Sequence, residues 1–223
     1  MPSAIRRSRA PPRPFPERLI PRVLRSDPTP IHHGSRSRNA VALTFDDGPG
    51  TETPRILDAL AEAEARATFF LVGSRVPAHA DAVARIAAEG HEIGSHSWGH
   101  DRPGRAHLAV LRDLVRASVA IRRAAGAPPR WFRPPYARFT RGLMLTARLA
   151  GMGTVTWDVD PRDWERDDPG DVVEEVLRST RSGSIVLLHD GGPATVESLP
   201  SIVENLRLQG LDVVTVSDLL RSG

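Results

Sequence analysis

Two carboxylates stand side by side at Asp46 and Asp47, where the apolar run Val41–Phe45 gives way to a Gly-Pro-Gly turn. Like charges this close raise one another's pKa and cost stability. A cation is the simplest compensation. Further along, in "HSWGH", His96 and His100 are four apart. At that spacing a helical or tight-turn backbone projects both imidazoles from one face, where they can share one metal ion. The pattern is close to HExxH, but Ser97 occupies the glutamate position, so the base of that mechanism must come from elsewhere. The aspartate pair supplies both missing parts. One carboxylate completes a His2Asp set with an open position, as catalytic zinc requires, and the other accepts a proton from nearby water. A helix-capping role accounts for one aspartate of the pair and not for two.

Three further polar segments follow apolar runs: "FRPPY" (132–136), "WDVDPRDW" (157–164) and "LLHD" (187–190). Residues so far apart need a fold that gathers strand ends. Expected strands are Val41–Phe45, Thr68–Val72, Glu92–Ser95, Arg130–Phe132, Gly153–Trp157, Ser184–Leu188 and Asp212–Val216. Amphipathic stretches lie between them at Pro54–Glu64, Pro77–Glu89, Ala106–Ala125, Arg141–Ala150, Asp171–Arg181 and Val196–Gln209. Gly90, Gly126, Gly151, Gly183 and Gly210 follow five of these, where a helix end favours left-handed φ. Strand–helix alternation argues for a parallel sheet with crossover helices, and about seven such units suggest an incomplete barrel. In such barrels active sites form at the carboxyl ends of the strands, where all five polar segments fall.

Composition narrows the chemistry. The 223 residues suffice for one domain with a sizeable core, and 40% hydrophobic content is ordinary for one. With no cysteine and no lysine, thiolate metal sites, disulfides and Schiff-base chemistry are excluded. The net charge of +3 conceals an asymmetry: residues 1–40 hold nine arginines against Glu17 and Asp27, which leaves the remainder acidic. Residues 1–39, rich in Pro, Arg and Ser, are expected to form a disordered tail ahead of a catalytic domain at 40–223. A solvated extension is the plain reading of that tail, and contact with an anionic polymer the functional one. No aromatic-studded strand or recognition helix accompanies it, so nucleic acid is not an expected partner. A membrane-spanning run and a signal-peptide core are both missing, which as written implies cytoplasmic placement.

The ordered set TFDDG, H-S-x-x-H, R-P-P-Y, D-x-x-D-W and L-x-H resembles the five motifs of the polysaccharide deacetylases, the NodB-homology domain of carbohydrate esterase family 4. The resemblance runs from about Ala40 to the C-terminus. It implies a distorted (β/α)7 barrel, a divalent metal, most often Zn2+ with Co2+, Ni2+ or Mn2+ as alternatives, and hydrolysis of N-acetyl or O-acetyl groups on a sugar or polysaccharide. Carried onto this sequence, it implies that Asp47, His96 and His100 hold the metal and that Asp46 is the catalytic base, oriented by Arg133. The Tyr136 main-chain N–H would stabilise the oxyanion. Asp163 would pair with His189, the general acid. Trp164 and Leu187, with Pro135 and Tyr136, would contact substrate.

Two departures stand out: Ala137 follows RPPY where the family often has Gly, and Asp101 follows His100 where Pro is common. The family usually acts on walls or extracellular polymers, in tension with the missing export signal. The same barrel also allows a hydrolase of small amide or ureide C–N bonds, or a lapsed carbohydrate-binding barrel. Trp98, Trp157, Asp158 and Asp160 fall near the motifs with either a cleft or a core role open to them. His79, His91 and His107 read as solvated or structural.

Overall fold

The computed structural model describes residues 29–101 and 107–221. Seven short strands alternate with helices: β1 (Ala40–Asp46), α1 (Thr53–Glu62), β2 (Thr68–Leu71), α2 (Ala80–Ala88), β3 (Glu92–Ser95), α3 (His107–Ala125), β4 (Trp131–Phe132), α4 (Arg141–Leu149), β5 (Gly153–Thr154), α5 (Pro169–Ser179), β6 (Ile185–His189), α6 (Pro193–Leu208), β7 (Asp212–Val213) and α7 (Val216–Leu219). Every strand pairing is parallel, in the order β5-β4-β3-β2-β1-β6, with β7 on the start of β1. The sheet is a curled half-barrel wrapped by helices, as expected.

Period-two alternation decides what each strand presents inside. Val41, Leu43 and Phe45 of β1 join the outer core with Ile56, Leu60 and Leu199 of the helices. Ala40 and Ala42 face inward with Phe70, Trp131, Val216 and Leu219, so α7 plugs the lower end of the barrel. Burial of each such Phe or Leu stabilises the fold by roughly 1.5–3 kcal/mol. The same alternation turns Thr44 and Asp46 inward above that plug. A Cβ at Gly94 would stand 2.5 Å from the Phe70 ring, so glycine there lets β3 approach β2's inward aromatic.

β5 and β6 stand at the two ends of the sheet. Ile31 bridges Val155 beside β5, Val159 bridges Val186 beside β6, and His33 bridges Ser184, so the chain before β1 fills the seam. This corrects the expected tail boundary at residue 40. Composition missed the strap because each of its pairings is a single residue, too short to carry a period. Arg36 also donates to Asp158 Oδ2 at 2.7 Å, and Gly34 N–H to the Gly183 carbonyl at 2.7 Å. Gly183 has φ +79°, and a Cβ there would clash with the Ser35 carbonyl at 2.5 Å. Residues 1–28 of the expected tail lie outside the described residues, as does Ala106 at the start of an expected helix.

The expected strand Asp212–Val216 is shorter than read. Thr215 caps α7, its hydroxyl accepting from the Asp218 N–H, so β7 ends at Val213. α5 starts two residues before the expected Asp171, with Asp168 as N-cap and Pro169 in the first turn. Among the described residues no helix is long and apolar enough to cross a membrane.

Candidate active site

The polar segments meet at the carboxyl ends of the strands, around an open cleft of about 890 Å³. Asp46 ends β1 on its inner face and is 3% exposed. Asp47 follows in the left-handed region at φ +69°. That turn sends two adjacent carboxylates in different directions. His96 and His100 sit in the loop after β3, with Ser97 and His100 at φ +69° and +56°, so the tight-turn alternative holds and not the helical one. One ligand atom from each of Asp47, His96 and His100 lies within 4.8 Å of the others.

The donor set fits a metal. His96 Nδ1 lies 2.8 Å from the Arg133 carbonyl, and a carbonyl can only accept, so Nδ1 carries the proton. Nε2 is thereby left with its lone pair, as in metal sites where the distal nitrogen is held by a carbonyl. Asp47 Oδ1 is buried without a hydrogen-bond partner, 3.6 Å from His96 Nε2 and 3.1 Å from His100 Nε2. An orphaned anionic oxygen facing two imidazole nitrogens is what a cation would satisfy. Burial pushes the Asp47 pKa up, but the neighbouring imidazoles of His100, His96 and His189 bring it down to about 2. The ionised form is therefore present throughout the neutral range.

Arg133, fully buried, backs Asp46. Its Nη1 donates to Asp46 Oδ1 and to Thr44 Oγ1, each at 2.8 Å, and Nη2 donates to the Thr156 carbonyl at 2.9 Å. Its guanidinium lies 4.0 Å over the Phe70 ring and so fills the barrel beneath the cleft. Asp46 Oδ2, the oxygen away from Arg133, lies 3.7 Å from His96 Nε2. One oxygen is anchored and the other faces the ligand cluster.

On the strand next to β1, His189 ends β6 in register with Asp46. Its Nδ1 lies 2.8 Å from Asp163 Oδ1, while its main-chain N–H donates to Asp163 Oδ2. The Thr195 hydroxyl donates to the same Oδ2 at 2.6 Å. Burial opposes the imidazolium at His189, yet the hydrogen bond and charge of Asp163, with Asp46 and Asp47 behind, outweigh it and raise the pKa. Trp164 packs edge-on against the His189 ring at 4.8 Å, and Leu187 lines the cleft floor. The His189 ring, held at Nδ1 by Asp163, lines the cleft.

Tyr136 has φ +59° and Ala137 φ +50°, an uncommon pair of left-handed non-glycine residues. The Tyr136 ring stands edge-on to His100 at 4.8 Å. The 3-10 turn over Pro135–Ala137 buries Pro135 and turns Tyr136 and Ala137 outward. Pro135, expected to contact substrate, is accordingly absent from the cleft lining, where Pro134 appears instead.

Trp157 and Asp160 line the cleft. Asp158 turns away to Arg36 and Ser184. Trp98 also points elsewhere, under the Arg116 guanidinium at 3.7 Å. His91 is structural, its Nδ1 accepting the Ala67 N–H at 3.1 Å. Sequence reasoning passed over Thr195, Thr44 and Asp190. Asp190 directly follows His189 in "LLHD", so its position was in view without a role.

A polysaccharide deacetylase family model matches residues 33–155. Among curated proteins, the chain is 40% identical over 187 residues to a peptidoglycan-N-acetylglucosamine deacetylase of Bacillus cereus, covering 81% of this chain and 88% of that one. It is 39% identical over 197 residues to a chitooligosaccharide deacetylase of Bradyrhizobium, covering 81% and 89%. Among solved structures, a peptidoglycan N-acetylglucosamine deacetylase in complex with 4-naphthalen-1-yl-N-oxidanyl-benzamide superposes with TM-score 0.83 at 31% identity, over 86% of this chain and 93% of that one. A family 4 pseudoenzyme from Bacillus anthracis matches with TM-score 0.83 at 32% identity, over 87% and 69%. With the family model spanning more than half of it and relatives this similar over most of their length, the chain belongs to the polysaccharide deacetylase family, carbohydrate esterase family 4, a family of hydrolases.

Proposed function

We propose that this enzyme removes N-acetyl groups from a glucosamine-containing oligosaccharide or polymer. The observation that carries the reading is the neighbouring pair in one cleft: Asp46 anchored by Arg133 at the end of β1, and His189 anchored by Asp163 at the end of β6, with the Asp47–His96–His100 cluster beside them. The names of the relatives support the substrate class.

One carboxylate and two imidazoles suit Zn2+ better than a hard oxygen-seeking cation, with Co2+, Ni2+ and Mn2+ as alternatives. When bound, such an ion supplies the Lewis acidity that makes water nucleophilic and polarises the acetyl carbonyl. Asp46 Oδ2 takes the proton of the attacking water. Arg133 keeps Oδ1 occupied, so that the proton arrives at the oxygen facing the cleft. The Tyr136 N–H donates to the oxygen of the tetrahedral carbon, a contribution of about 3–4 kcal/mol for a well-placed donor. His189 Nε2 then protonates the departing amine, and Asp163 holds the resulting ring in place. Acetate and a free amino sugar leave. Leu187 and Trp164 give the acetyl methyl an apolar seat.

A lapsed barrel is disfavoured, because sugar binding alone does not require both anchored pairs. Acetate release tests the proposal, using chitin oligosaccharides, peptidoglycan fragments and acetylated xylan, with and without chelator. Release from the N-acetylated substrates, lost on chelation and restored by Zn2+, is expected. Asp46→Asn is expected to be inactive with metal content intact, whereas His96→Ala loses the metal. An active Asp46→Asn enzyme sinks the assignment of the base. Turnover confined to acetylated xylan would make the enzyme an O-deacetylase.

A further inference from the structure

Asp190 has no part in the chemistry above, yet it is buried at 5% exposure in the cleft wall. Its main-chain N–H donates to the Asp46 carbonyl at 2.8 Å, continuing the β1–β6 ladder. Its Oδ2 accepts the Thr53 hydroxyl proton. A hydroxyl has one proton and spare lone pairs, so Thr53 also accepts the Gly50 N–H, at 2.8 Å. The loop 47–50, which carries Asp47, is thus chained through Thr53 to a carboxylate just past the end of β6.

The contact is close as well as bonded. A Cβ at Gly48 would stand 2.5 Å from Asp190 Oδ2, and one at Gly50 would stand 3.4 Å from Oδ1. From the other side, Arg75 Nη1 donates to the Asp47 carbonyl at 2.5 Å and the Val72 N–H to the Gly48 carbonyl at 2.7 Å. The loop is gripped between β2 and β6. Asp190 Oδ1 remains buried without a hydrogen-bond partner. A buried carboxylate with one oxygen unsatisfied costs stability, so the fold gains nothing from it as mere packing.

We propose that Asp190 is a positioning residue: with Thr53 it clamps the loop bearing Asp47 onto the end of β6, and so holds Asp47 in ligating position relative to His96 and His100. The inference rests on the reading above that these three residues bind a divalent cation. It predicts that the clamp is felt in metal affinity and not only in stability.

The test uses the full chain and its variants Asp190→Ala, Thr53→Val and Thr53→Ser. Zn2+ affinity is read by competition with a chelating indicator, and amide hydrogen exchange is followed over residues 47–50. Asp190→Ala and Thr53→Val are expected to weaken Zn2+ about 10–100-fold, the range for partners that orient ligands. They should speed exchange in that loop and lower kcat with KM nearly unchanged. The double variant should be no worse than either single one, and Thr53→Ser should restore parental affinity. Thr53→Val keeps the branched shape and removes only the hydroxyl's hydrogen bonds, which keeps the test open if Asp190→Ala fails to fold. A parent that binds Zn2+ while a folded Thr53→Val binds it within twofold overturns the clamp. A parent that binds no divalent cation fails the metal reading instead; unchanged loop exchange in Thr53→Val would then overturn the clamp by itself.

Discussion

Arg133 and Asp46 form an ion pair sealed inside the barrel, Nη1 to Oδ1 at 2.8 Å, with the arginine wholly buried and the aspartate 3% exposed. Burial disfavours the charged guanidinium, and Asp46 offsets part of that penalty by its charge and hydrogen bond. Removing one partner strands the other. Arg133→Met is expected to lower stability by about 3–5 kcal/mol, measured by denaturant unfolding. Arg133→Lys keeps the charge but cannot reach Thr44, Asp46 and the Thr156 carbonyl together. It should fold and lose kcat by about tenfold or more. Parental kcat in Arg133→Lys would show that the forked geometry is unnecessary.

Ala137 tests whether the departure from the family's usual glycine is a cost or an adaptation. At φ +50° its Cβ crowds the following carbonyl, a strain of about 1–2 kcal/mol that glycine avoids. Glycine also loses more entropy on folding, which returns part of the gain. Ala137→Gly should therefore raise stability by about 0.5–1 kcal/mol in equilibrium unfolding. The neighbouring Tyr136 N–H depends on the same turn, so kcat is the companion measurement. A fall in kcat with higher stability would mean that the alanine stiffens the oxyanion loop to good effect.

The strands were legible because largely apolar runs of four to seven residues survive as β1, β2 and β6 with nearly the bounds read from sequence, and β3 keeps its bounds although only Ile93 in it is a large apolar residue. Asp46 pointing inward follows from the same alternation. The His96–His100 turn was only half legible, since the spacing fits a helix equally well and left-handed φ at Ser97 leaves no trace in composition. "TVSD" at 215–218 carried a capping signature that lost to the preceding apolar pattern. The His189–Asp163 contact was reached through family resemblance alone, because no local rule links residues 26 apart. Asp190 stayed silent for a related reason: its partners, Thr53 and Gly48, come from the opposite end of the chain's order.

The strap before β1 makes a prediction about truncation. Ile31 gives its N–H to the Thr154 carbonyl and takes the Thr156 N–H, at 2.9 and 2.8 Å. Arg36 joins Asp158, whose Oδ1 accepts the Ile185 N–H and so ties the segment leading to Asp163 onto β6. A protein beginning at residue 29 keeps all of these bonds. One beginning at residue 40 loses the Ile31 and Arg36 bonds at roughly 1 kcal/mol apiece and should melt measurably lower. It should also lose activity through the loosened Asp163. Equal melting temperatures for the two truncations would mean that the seam is closed without the strap. The cut that tests polyanion binding by the arginine-rich segment therefore belongs at residue 28.

As the proposed general acid, His189 is expected to set the alkaline side of the pH dependence. Its pKa is raised above 6.5, burial being outweighed by Asp163 and the other carboxylates. A cation on Asp47 neutralises that residue's share, which leaves Asp163 as the controlling partner. The raised pKa favours the protonated ring, so the alkaline limb of kcat/KM is expected above the ordinary imidazole value. Stability follows the same group: its contribution is complete below the unfolded pKa and is lost as pH rises through the folded one. Asp163→Asn removes the charge while leaving burial in place. The alkaline limb of kcat/KM should then move down to 6.5 or below, and the stability difference between pH 6 and 9 should shrink. Arg133→Lys, which disturbs the base and not the acid, should leave that limb where it is. An alkaline limb that does not move in Asp163→Asn would show that another group donates the proton to the leaving amine.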